Sequence, residues 1–157
     1  MTNLSGAVSK EMLVFIVSMV PILELRGGII VASLLGIEMW RAVFFCGLGN
    51  IIPVPFILLF ITPIFGWLKR TRFFKPLVEK LETKAMSKSE KIEKYEFWGL
   101  VLFVGIPLPG TGAWTGSLVA ALLGIRFRKA LPAILLGIVL AMIIMTVLFY
   151  VAPGLIL

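Results

Sequence analysis

Apolar positions fall into runs of two lengths along this chain, and the difference organises the reading. Residues 42–67 and 130–157 each exceed the roughly 20 residues that a helix needs to cross the hydrocarbon core of a bilayer. Residues 12–23, 29–37, 97–106 and 113–125 each supply only about half a crossing. These shorter runs come as two pairs, joined by residues 21–28 and 107–112, where proline and glycine interrupt any continuous helix. The pattern predicts two re-entrant helical hairpins, over 12–37 and 97–125. Each is followed by one transmembrane helix, over 42–67 and 130–152. Irregular backbone at membrane depth is tolerated only inside protein or beside a wet cavity, so both hairpin tips are expected in the interior.

The two halves also resemble each other in sequence. Ala32-Ser-Leu-Leu-Gly-Ile-Glu-Met-Trp-Arg-Ala42 is nearly repeated as Ala120-Ala-Leu-Leu-Gly-Ile-Arg-Phe-Arg-Lys-Ala130, and the same offset superposes Pro21 on Pro109, Gly28 on Gly116 and Gly49 on Gly137. A hairpin that returns to its own side, followed by one crossing, makes successive units enter from opposite faces. The expected fold class is therefore an all-α polytopic membrane protein built as an inverted repeat: a single membrane domain over 1–157, with repeat one at 8–68, a cytoplasmic amphipathic linker at 69–95 and repeat two at 96–157. In a rival topology every short segment crosses alone, which needs crossings of roughly ten to thirteen residues and strong bilayer thinning. The apolar run after Lys10 is expected to be a structural arm rather than a removable leader, because Glu11 and Pro21 interrupt the signal-peptide pattern.

Composition narrows the chemistry. With 60% hydrophobic residues and a mean hydropathy of +1.08, the chain is too apolar for a soluble domain of 157 residues. It holds one cysteine, Cys46, and no histidine. Every acidic residue is a glutamate. That excludes disulfide frameworks, His or Cys metal sites and His-based triads, so neither enzyme activity nor a metal or other cofactor is expected. The net charge of +7 does not point to nucleic acid. Most basic residues lie between Lys69 and Lys94, interleaved with Glu79, Glu82, Glu90 and Glu93, as in a charge-laced helix on the cytoplasmic side. Pro76 suits the first turn of a surface helix with Leu77, Val78, Leu81 and Ala85 on one face. Ser87-Lys-Ser-Glu90 has capping-box spacing for a second helix running into hairpin two. Trp40, Trp67 and Trp98 are placed as interface anchors.

The candidate chemistry sits at the tips. Glu24 and Arg26 lie in Pro21-Ile-Leu-Glu-Leu-Arg-Gly-Gly28, where each charge costs roughly 2.5–3.5 kcal/mol near a bilayer centre and should face a partner or a water-filled cavity. Glu24 suits proton coupling or cation binding; Arg26 suits an anion. A purely structural role, in which the two pair or hold the hairpin's shape, is the alternative. The second tip, Ile106 to Ser117, is uncharged, but its glycines expose N–H groups and a half-helix N-terminus follows it, which favours anions. Arg26, Gly27, Gly28, Pro109, Gly110, Thr111, Gly112, Trp114 and Thr115 are the candidate substrate-binding residues, and Pro21, Asn50, Pro107 and Ser117 candidate cavity residues. The hydroxyls could equally satisfy helix carbonyls.

These two tip motifs are similar to those of the small multidrug export protein family, regarded as a distant branch of the DedA superfamily related to VTT-domain lipid scramblases. The resemblance covers nearly the whole chain. It implies two opposed re-entrant hairpins packed with full crossings, in the prokaryotic cytoplasmic membrane, and translocation of polyprenyl phosphates or phospholipids, often with proton motive force. The superfamily's second tip usually carries two arginines flanking Pro-Gly, whereas Ile106 and Gly112 stand there; Arg26 is the residue that could compensate. The expected function is a proton-coupled transporter or flippase of a lipid-linked or amphipathic anion, with membrane lipids, substrate and protons as partners, no nucleic acid, and self-association possible. A proton-driven exporter of cationic drugs and a non-transporting assembly protein are the alternatives.

Overall fold

The computed structural model describes residues 4–87, 96–108 and 110–156. Helices are the only regular structure among them. In chain order they are α1 (Leu4–Met19), α2 (Glu24–Leu34), α3 (Met39–Ile51), α4 (Pro53–Lys69), α5 (Lys75–Met86), α6 (Phe97–Gly105), α7 (Ala113–Leu122) and α8 (Phe127–Thr146). A π-helical stretch, Val147–Val151, then leads into α9 (Ala152–Ile156).

The two long apolar runs become the stretches Met39–Lys69 and Phe127–Ile156, 31 and 30 residues long, each sufficient to span a bilayer. Both start a few residues earlier than the hydropathy alone suggests, because the polar residues after Gly36 and Gly124 already belong to the turn that launches each helix. Within the first stretch Ile52 separates α3 from α4: Pro53 brings no N–H to the ladder, so the helix restarts at that proline. The half-length runs form α1 and α2, α6 and α7. None of these reaches the length of a full crossing. The amphipathic helix α5 forms where the apolar face and Pro76 place it. The capping box at Ser87–Glu90 lies largely outside the described residues, as does Pro109.

Corresponding places in the two similar stretches of sequence adopt the same local geometry. Gly36 and Gly124 have φ of 69° and 70°. In each case the following isoleucine donates its N–H to an alanine carbonyl five residues back at 3.0 Å, Ile37 to Ala32 and Ile125 to Ala120. This is the Schellman closure, in which a left-handed residue ends the helix and lets the chain reverse. Beyond the turn, Arg41 pairs with Glu11 at 3.0 Å, tying α3 to α1, and Lys129 pairs with Glu96, tying α8 to the start of α6. Gly49 and Gly137 then let those helices close on the first arms. A Cβ on either would lie 2.4 Å from the Phe15 carbonyl oxygen or 2.9 Å from that of Val101.

The core lies where α2 and α7 are enclosed by the long helices, around Leu25, Ile29, Ala32, Val104, Val119, Ile134 and Ile138. Trp40, Trp67 and Trp98 are exposed, as are Phe44, Phe56 and Ile143. An apolar exterior of this kind suits a chain whose solvent is lipid.

Candidate functional site

Each tip charge reaches across to the other hairpin. Glu24 is the first residue of α2, and its φ of 50° is unusual for a residue with a side chain. That backbone turn accompanies a carboxylate that is 4% exposed and aimed at the start of α7. The Ala113 N–H donates to Oε2 at 3.2 Å and the Trp114 N–H to Oε1 at 3.0 Å. The first N–H groups of a helix have no partner within it, and the preceding residue here is Gly112, which has no side chain to cap them. Glu24 supplies that cap from the other half of the sequence, and its charge lies against the positive end of α7.

Arg26 does the complementary job for carbonyls. Its Nη1 donates to the Leu108 and Thr111 carbonyl oxygens, both at 2.8 Å. Its Nη2 donates to the Ile106 carbonyl at 3.1 Å, the Thr111 hydroxyl at 2.9 Å and, at 3.4 Å, the Val104 carbonyl. The end of α6 and the irregular tip after it leave these acceptors without helical donors, and a planar guanidinium can serve several at once. Trp114 returns a bond, donating from its indole Nε1 to the Met19 carbonyl at 3.0 Å. The tip charges thus brace one hairpin against the other, and Glu24 and Arg26 form no ion pair with each other.

Gly112 is fixed by this brace. Its φ is 136°, and a Cβ there would lie 2.0 Å from Glu24 Oε2. Gly112→Ala is expected to displace the carboxylate and destabilise the protein by about 2–4 kcal/mol, from backbone strain together with overpacking. A melting curve in detergent that matches wild type would contradict that assignment.

Beside the brace is a cavity of about 680 Å³. Of the residues singled out in the sequence, Pro21, Arg26, Gly27, Pro107, Gly110, Thr111 and Thr115 line it. Ile22, Leu23, Ile30, Leu108 and Leu118 give it apolar walls, and α5 contributes Leu81 and Lys84. The contribution of α5 was not visible in the sequence, where Lys84 is one more charge in a charged helix. Other candidates sit elsewhere. Gly28 is packed against Ser18 and Cys46, and Gly112, Trp114 and Ser117 are buried or half-buried behind the brace. Ser117 donates to the Ala113 carbonyl of its own helix at 2.6 Å, the structural role open to it from the start. Asn50 is 2% exposed, away from the cavity lining, and its Oδ1 has no hydrogen-bond partner among the described residues. No cluster of three metal-ligating side chains occurs among the described residues.

The model of the family described as "Putative small multi-drug export protein" matches residues 24–144, which begins at Glu24 within the first tip and takes in the whole of the second. The chain belongs to this family. Membership of this family, together with two helices long enough to span a bilayer, fits a membrane protein. No curated protein and no solved structure matches the chain.

Proposed function

We propose that the chain is a transporter in the cytoplasmic membrane that moves an amphipathic anion, of the lipid-phosphate type or smaller, through the cavity beside the two tips. One observation carries the reading. The cavity has apolar walls and two basic side chains, Arg26 and Lys84, while no carboxylate among the described residues lines it. Such a surface attracts a negative head group on an apolar body and repels a cation.

The architecture we infer is the inverted pair of re-entrant hairpins, with residues 69–95 cytosolic. The half-length arms, the matching Schellman turns and the matching ion pairs at Arg41 and Lys129 all favour it. In this arrangement the cavity, which includes α5, opens toward the cytosol. Glu24 would couple protons through the brace. A carboxylate accepts both the Ala113 and Trp114 N–H groups; a protonated acid brings its own O–H donor and loses the favourable attraction to the positive end of α7. Proton uptake would loosen hairpin one from α7 and let the cavity change sides.

Export of cationic drugs is the second reading, favoured by the family's description. Proteoliposomes separate the two. Fluorescent phosphatidylglycerol and polyprenyl phosphate are expected to cross faster with the protein than without it, and faster still under an imposed proton gradient, while a cationic dye does not. Movement of the cationic dye alone would establish the second reading; movement of neither would favour a non-transporting assembly role.

A further inference from the structure

The two basic residues of the cavity are not equivalent. Both terminal nitrogens of Arg26 are engaged by the second tip, in four bonds to backbone carbonyls and one to the Thr111 hydroxyl. A guanidinium so engaged keeps its charge but has few N–H donors left to offer a ligand. Lys84, in the last turn of α5, forms no ion pair among the described residues. The acidic neighbour on its own helix is occupied, since Glu82 pairs with Lys69 at 2.5 Å. Lys84 therefore lines a cavity in which Leu81, Ile30 and Leu118 offer apolar contact and to which no carboxylate among the described residues contributes.

Resting on the anionic reading above, we propose that Lys84 is the residue that binds the substrate's anionic group and sets its charge preference, and that Arg26 is a positioning residue for the tip. At about 680 Å³ the space is that of a drug-sized ligand site, which typically measures roughly 300–1,000 Å³. It accommodates a head group with a short apolar body, or the head of a lipid whose chains remain in the bilayer. Lys84 thus joins the surface helix to the membrane site, which explains why a charged helix is packed against α4 and α7 instead of standing free.

The experiment uses the full chain in proteoliposomes with two probes of matched apolar body, an anilinonaphthalene sulfonate and its trimethylammonium counterpart, and with fluorescent phosphatidylglycerol as the lipid arm. Lys84→Gln is expected to raise the half-saturating sulfonate concentration about tenfold, the loss of one charge-assisted contact, with the melting temperature unchanged because the side chain is exposed. Lys84→Arg should stay within about twofold of wild type, whereas Lys84→Glu should favour the trimethylammonium probe. If the lipid arm responds to Lys84→Gln as the sulfonate does, both ligands use one head-group site; a response of the sulfonate alone assigns Lys84 to free amphipaths. Wild-type half-saturation in both Lys84→Gln and Lys84→Glu would overturn the proposal while leaving anion transport intact. A wild-type protein that carries no anion at all would remove the proposal together with the reading beneath it.

Discussion

Replacing Arg26 by alanine is expected to destabilise the protein by about 2–4 kcal/mol and, on the transport reading, to abolish transport, because it removes every hydrogen bond by which this side chain ties α2 to the second tip. The Val104, Ile106, Leu108 and Thr111 carbonyls all take a donor from this one side chain. The Ile106 and Leu108 carbonyls keep local donors from the Leu108 and Thr111 N–H groups and the Thr111 hydroxyl, so the loss falls mainly on the Val104 and Thr111 carbonyls. Arg26→Lys should recover only part of the stability, since one ammonium cannot span acceptors spread over the tip as a planar fork does. Melting in detergent beside transport in proteoliposomes reads both effects. An Arg26→Ala protein that melts like wild type would show that the tip does not depend on the guanidinium.

Glu24→Gln should cost about 1.5–3 kcal/mol, the range for a charge-assisted bond lost at a helix end. The amide keeps one acceptor oxygen but turns an NH₂ group toward the Ala113 or Trp114 N–H, where two donors cannot bond. Under the proton-coupled account the variant also stops responding to an imposed proton gradient, since its side chain no longer titrates. The double variant Glu24→Gln with Gly112→Ala should cost less than the two single losses summed, because Gly112 and the carboxylate share one space. Strict additivity in melting experiments would argue that the two residues act separately.

The elements were legible in the sequence where run length or a turn residue decides them. The long apolar runs and the surface helix after Pro76 follow from local rules. So did the importance of Glu24 and Arg26, since charge between apolar arms has to be compensated. Their partners were not legible. The acceptors of Arg26 are backbone carbonyls some eighty residues away, and carbonyls leave no mark in a sequence. The capping of α7 from another hairpin hides for the same reason, as the usual signal is a polar residue just before the helix and here that place holds Gly112. Lys84 went unnoticed because its helix reads as a solvated charged face; only the packing of α5 against α7 brings it to the cavity. The hydroxyl of Ser117 could have gone to a ligand or to its own helix, a choice that the alternation of residues does not encode.

Amide exchange at Ala113 and Trp114 tests the brace between the hairpins most directly. Both groups lie in the first turn of α7 and have no partner within it, so protection from solvent has to come from Glu24. In the intact protein both amides should exchange slowly, and Glu24→Gln should speed at least one of them about tenfold or more while the middle of α7 stays protected. Equal protection in the two proteins would contradict the account, because the N-terminus of α7 would then be capped by something other than the carboxylate of hairpin one.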